Sequence, residues 1–250
     1  MYVNGIFKTA PRILEIAFAA INIAAPCTKE FFKIYHHPLY YIDICGIIHL
    51  YEIFREMNKI SYEIKKMRSA NGEITVPGDK SISHRAVMFG AIADGVTHIT
   101  GFLKGADCLS TIDCFRKMGI EIDVTEDMIT VHGKGINGLS KPSEMLYTGN
   151  SGTTTRLLCG LLCAQPFDTD ITGDSSICRR PMGRVTKPLS LMGANIENEY
   201  CPLHIHGKEI TGIDYKMTVA SAQVKTALIL AALYANGDTV IHETEKSRDH

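Results

Sequence analysis

The sequence predicts an α/β (α+β) domain assembled from repeated units of buried helices and short strands. Three observations lead there. From Ile60 onward, short β-branched runs, glycine turns and apolar helical runs alternate, the signature of mixed helix and strand layers. Three segments share one plan: SISHRAVMFGAIADGVTHITG (81–101), SGTTTRLLCGLLCAQPFDTDITG (151–173) and SAQVKTALILAALYANGDTVIHE (221–243). With 45% apolar residues over 250 positions, the chain can bury one large or two small cores.

The elements follow in chain order. Residues 1–57 carry ten of the nineteen Phe and Tyr residues but only two of the twenty-one glycines. This segment reads as helical hairpin material broken at Pro26 and Pro38, a separate extension without a chemical constellation. Residues 58–250 read as a separate domain, incomplete at its C-terminus. Each of its units opens with a small polar entry and a cation, continues as an apolar helix, turns, and enters a Thr/Ile/Val strand. The matching cations are Arg85, Arg156 and Lys225, 71 and 69 residues apart.

Between these copies lies a more amphipathic helix that ends at glycine and precedes two short strands. CLSTIDCFRKMGIEIDVTEDMITVHGKG (108–135) matches GRVTKPLSLMGANIENEYCPLHIHGKE (183–209), with Met118 and Met192 equivalent. The unit is therefore helix, strand, helix, strand pair. By the same spacing the third unit is truncated at the chain's end, so a larger protein is expected, since stacked units bury one another's apolar faces.

Twenty-six Lys and Arg against 27 Asp and Glu give a net charge of −1, which excludes a global field for nucleic acid or an anionic membrane. The run ILEIAFAAINIAA (13–25) contains Glu15 and Asn22 and falls short of the ~20 residues of a membrane span. It also lacks a signal-peptide layout. The eight cysteines form no CxxC pair, so a reduced cytoplasmic protein without a structural metal is expected. Cys159 and Cys163, one helical turn apart in an apolar run, read as core packing.

The cations stand in an unfavourable place. Free N–H groups at a helix start favour anions, and a nearby Lys or Arg costs ~0.3–1 kcal/mol unless an anion compensates. Ser81, Asn150, Ser151, Thr153 and Ser221 are small polar residues of the kind that cap such ends and donate to phosphate. Three entrances in register on one pseudo-symmetric scaffold therefore predict a single, multiply anionic ligand. CRRPMGR (178–184) adds Arg179, Arg180 and Arg184, whose forks suit carboxylate or phosphate. GxxxxGK[ST] does not occur, and the one GxGxxG match, GKGING (133–138), runs on to Pro142 rather than into a helical run.

PGDKSISHRA, GNSGTTTRL, RRPMGR, SAQVKTALILA and the terminal KSRDH, in this order and spacing, resemble the motifs of the 5-enolpyruvylshikimate-3-phosphate synthase family. The resemblance runs from about Lys59 to His250. It implies one domain of the two-domain enolpyruvyl transferase fold and a metal-free transfer of the enolpyruvyl group of phosphoenolpyruvate to shikimate 3-phosphate. No cofactor is implied. Carried over by motif, Lys80 touches both substrates, and Ser81 and Arg85 hold shikimate 3-phosphate. Asn150 and Gly152 line the phosphoenolpyruvate pocket, with Arg156 nearby and Arg180 gripping that substrate. Ser221 and Gln223 contact shikimate 3-phosphate, and Arg248 reaches its phosphate.

Some members of the family carry a second serine where this chain has Ala222. Gly152 implies a pocket open to the inhibitor glyphosate. The acid and base groups belong, in the family, to a second domain, expected here in the same gene or on a partner chain, so the 250-residue chain alone is expected to turn over little substrate. Two alternatives stand beside this reading. One is a non-catalytic anion-binding half or assembly module. The other is UDP-N-acetylglucosamine enolpyruvyl transferase, whose entry motif resembles KN rather than KSISHR and which commonly uses a loop cysteine; Cys178 is the cysteine that precedes the Arg cluster.

Overall fold

Each repeated unit begins with a helix whose start is fixed by a side-chain cap. In this computed structural model, which describes residues 72–245, helix α1 (Lys80–Ile92) is capped by Asp79, which accepts the Ile82 N–H at 2.8 Å. Strand β1 (Asp94–Thr100), helix α2 (Ala106–Lys117), β2 (Glu121–Val124) and β3 (Met128–Lys134) complete the first unit. They form the helix, strand, helix, strand-pair order read from the sequence.

The second unit repeats it. A two-residue strand, β4 (Leu146–Tyr147), leads into α3 (Gly152–Leu162), followed by β5 (Thr169–Thr172), α4 (Gly183–Leu191), β6 (Asn195–Glu197) and β7 (Leu203–His206). A third unit is represented by β8 (Asp214–Lys216), α5 (Ala222–Ala232) and β9 (Val240–His242). Both α2 and α4 stop where Gly119 and Gly193 take φ of 87° and 94°, a left-handed turn that side chains with a Cβ resist.

The sheets are small and separate. The first has the order β1-β3-β2, antiparallel throughout, and the second β4-β5-β7-β6 with β4 parallel to β5. In the third, β8 runs parallel to β9. Alternation puts Ile129 and Val131 of β3, and Leu203 and Ile205 of β7, into the core. Opposite faces carry cross-strand polar pairs such as His132 with Asp123 at 3.0 Å and His206 with Glu197 at 2.9 Å.

One apolar cluster runs through all three units, from Val87 on α1 through Phe115 and Leu158 to Leu228 on α5. Met118 and Met192, matched in the repeat, are both fully buried. The expectation that every unit's first helix is enclosed on all sides holds for α3, where residues 157–163 are buried without a break. It fails for its flanking neighbours: α1 leaves Ile82 and Phe89 exposed, and α5 leaves Ile229 and Leu233 exposed. The reason is position, since α3 packs against α1, α2, α4 and α5 together. Among the described residues no helix is long and apolar enough to cross a membrane. The segment 1–57 and Arg248 lie outside the described residues.

Candidate functional site

The entrances of α1, α3 and α5 are built differently from what the small polar residues suggested. Ser151 and Ser221 do cap α3 and α5, accepting the Thr154 and Val224 N–H groups at 3.1 and 3.4 Å. At α1 the cap is Asp79, and Ser81 lies inside the first turn with its carbonyl accepting from Arg85 Nη1 at 3.2 Å. An acid wins at this cap because its carboxylate meets both the free N–H groups and the positive end of the helix.

The cations fall into two groups. Lys80 is half exposed and paired with Asp107, the acid in the first turn of α2. Lys225 does not stand as a free cation at the third entrance; it pairs with Glu243, just beyond β9, at 3.0 Å. The arginines behave otherwise. Arg85 is 7% exposed, and its Nη2 donates to Thr226 Oγ1 on α5 at 2.7 Å. Among the described residues it makes no ion pair, and burial holds its pKa below the usual guanidinium value.

Arg156 reaches from α3 to α5, donating to Gln223 Oε1 at 2.9 Å, while Gln223 Nε2 donates to Thr153 Oγ1 at 3.1 Å. Its pKa is lowered first by burial and then by the charges of Arg180 and Arg184. Arg180 donates to Asn150 Oδ1 at 2.6 Å and to Ser176 Oγ at 3.2 Å. None of Arg156, Arg180 and Arg184 makes an ion pair among the described residues. Three guanidiniums thus gather without an ion-paired carboxylate among the described residues, an arrangement that favours an incoming anion.

Gly152 sits beneath this cluster. A Cβ there would lie 2.6 Å from Arg156 Nη1 and 3.4 Å from Arg180 Nη1, so any side chain displaces the Arg156 guanidinium from its seat. Arg184 also lines a small surface indentation with Tyr215, Met217 and Val224, next to the start of α5. The structure therefore brings Asn150, Gly152, Arg156, Arg180 and Gln223 into one contiguous patch, and joins Arg85 to α5 at Thr226. Lys80 stands at the α1 entrance with Asp107. Arg248 remains outside the described residues.

Sequence reasoning missed the interior behind these entrances. His84, fully buried on α1, contacts Thr111 Oγ1 of α2 at 2.7 Å, and Thr111 Oγ1 lies 2.7 Å from Thr154 Oγ1 of α3. Its Nε2 has no partner. Burial first, then the charge of Lys80, lowers the His84 pKa from 6.5 to about 4. The unfolded chain therefore takes up this proton before the folded one does, and stability falls as pH drops from 6.5 towards 4. By pH 5 the expected loss from this group is about 2 kcal/mol relative to pH 7.5. Urea unfolding at the two pH values measures it: in His84→Asn, which cannot titrate, the acid-side loss is smaller by that amount.

Three of the buried cysteines are held inert. Burial pushes the Cys163 thiol up to about 12, Cys114 to about 12 and Cys108 to about 11, so all three stay protonated and unreactive. Glu121, Asp123 and His132 lie close enough together to share a cation, on the solvent side of β2 and β3. They have no part in the helix entrances.

Comparison with known proteins places this geometry in a family. The signature of EPSP synthase (3-phosphoshikimate 1-carboxyvinyltransferase) matches residues 64–250. The 3-phosphoshikimate 1-carboxyvinyltransferase of Bacillus subtilis (strain 168) is 54% identical over 189 residues, covering 74% of this chain and 44% of that enzyme. That of Brevibacillus brevis is 56% identical over 191 residues, 75% of this chain and 45% of its own length. The solved EPSP synthase of Acinetobacter baumannii superposes with a TM-score of 0.69 at 51% identity, over 71% of this chain and 41% of that one. The chain thus spans under half the length of these relatives, but the match covers its helix entrances and all three units: it belongs to the EPSP synthase family.

Proposed function

We propose that this chain forms the substrate-binding half of an enolpyruvyl transferase, moving the enolpyruvyl group of phosphoenolpyruvate to the 5-hydroxyl of shikimate 3-phosphate and releasing phosphate. The observation that carries the reading is the set of guanidiniums, Arg85, Arg156, Arg180 and Arg184, gathered at helix entrances with no ion pair among the described residues, the Asp79 carboxylate acting on Arg85 only through its charge. Both substrates are anions and would supply the missing counter-charge. The names of the matched relatives support the same chemistry.

In this reading Ser81, Arg85, Ser221, Gln223 and Arg248 hold shikimate 3-phosphate. Asn150, Gly152, Arg156 and Arg180 receive phosphoenolpyruvate, and Lys80 leaves Asp107 to contact both. Carbon 3 of phosphoenolpyruvate gains a proton while the 5-hydroxyl loses one and bonds to carbon 2; later carbon 3 gives up a proton as the bond from carbon 2 to the phosphate oxygen breaks, which restores the double bond and releases phosphate. An acid and a base are needed for those transfers. They come from a second half, in the same gene or on a partner chain, whose closure also excludes water.

The test is calorimetric titration of shikimate 3-phosphate into the 250-residue chain and into Ser81→Ala/Arg85→Ala. Heat of binding in the first and none in the second is expected. A folded chain that binds neither shikimate 3-phosphate nor phosphoenolpyruvate overturns the proposal and leaves an assembly module.

A further inference from the structure

A buried chain of hydroxyls runs behind the entrances, and its hydrogens can be counted. Thr154 Oγ1 donates to Ser151 Oγ at 2.7 Å. Thr154 then has no hydrogen left for Thr111, so the 2.7 Å contact between their oxygens requires Thr111 to donate. That commits the Thr111 hydrogen to Thr154 in preference to the Asp107 carbonyl, a longer contact at 3.5 Å, and the 2.7 Å contact with His84 then requires Nδ1 to carry the proton. Hydrogens pass in one direction: from His84 on α1, through Thr111 on α2 and Thr154 on α3, to the cap of α3.

The neutral ring that this scheme needs is the one burial enforces. Nε2 is left as a bare acceptor, in keeping with its lack of any partner. All four side chains are fully buried, so the chain is shielded from competing water, and its terminus Ser151 stands between Asn150 and Gly152. Ser151 Oγ also accepts the Thr154 N–H at 3.1 Å, so the hydroxyl that ends the chain sets the first turn of α3.

We propose that His84 is a positioning residue: through Thr111 and Thr154 it orients the Ser151 cap, and so the Asn150–Gly152 turn that presents donors to the anionic ligand. His84 itself touches no ligand. The inference rests on the substrate reading above for the identity of that ligand, but the relay can be judged without it.

The experiment is nitrogen NMR of the histidine ring in the 250-residue chain, together with titration of shikimate 3-phosphate and phosphoenolpyruvate into wild type, His84→Asn and His84→Leu. Asparagine retains a donor at the Nδ1 position; leucine does not. Expected are a neutral ring protonated at Nδ1, binding weakened about tenfold in His84→Leu, and binding within about twofold of wild type in His84→Asn. A ring protonated at Nε2, or equal losses in both variants, overturns the relay. If wild type binds neither substrate, the substrate reading fails, and the Ser151 and Thr154 amide signals decide the relay. Displacement in His84→Leu with recovery in His84→Asn supports it, and displacement in neither or in both overturns it.

Discussion

Arg85→Met is expected to bind shikimate 3-phosphate about a hundredfold more weakly, ~2.7 kcal/mol, while its unfolding free energy changes by less than about 1 kcal/mol. The two effects separate because Arg85 is buried without an ion pair among the described residues, and the charge of Asp79 only partly opposes the effect of burial. In the free chain its charge is a desolvation cost, partly offset by the bonds to Thr226 Oγ1 and the Ser81 carbonyl. Methionine keeps the aliphatic packing, removes the buried charge and forfeits those bonds, so stability stays nearly level. The bound anion, by contrast, loses a desolvated, fork-shaped partner. Calorimetry and urea unfolding on the same samples read both numbers. A variant that unfolds early and binds normally would show Arg85 to be a structural strut between α1 and α5.

That separation also marks how far the sequence could be read. The unit plan was legible because apolar runs, terminal glycines and β-branched strands are local signals: α1, α3 and α5 fall where the runs do, and Gly119 and Gly193 end α2 and α4. The arginine patch was legible as composition, since Arg156, Arg180 and Arg184 recur beside polar entries. What escaped was pairing over distance. Asp107 lies 27 residues from Lys80, and Glu243 is separated from Lys225 by the rest of α5 and by β9. No local pattern says that either cation is matched. The strands β4 and β8, two and three residues long, are too short to show alternation. His84 read as one more polar residue in KSISHR, because its meaning depends on Thr111 and Thr154, brought to it only by folding.

Gly160→Ala is expected to destabilise the chain by about 3 kcal/mol, lowering the melting temperature by about 10 °C. On an isolated helix the change would help, since alanine is the better helix former by ~1 kcal/mol. Here α3 and α5 meet at this residue. A Cβ on Gly160 would lie 2.0 Å from the Ala227 carbonyl oxygen, 2.7 Å from its carbonyl carbon and 2.8 Å from its Cα. Those atoms are backbone, so no rotamer change relieves the clash and the two helices must separate. The same interface carries the bonds from Arg156 to Gln223 and from Gln223 to Thr153. Separation therefore weakens the anion site as well as the core, and binding of shikimate 3-phosphate falls with stability. Ala227→Gly added to the variant supplies the control: because the obstacle is the main chain of residue 227 and not its methyl group, the second change restores neither. Recovery of the melting temperature in the double variant, or a single variant that melts within about 2 °C of wild type, would show that the helices do not approach so closely.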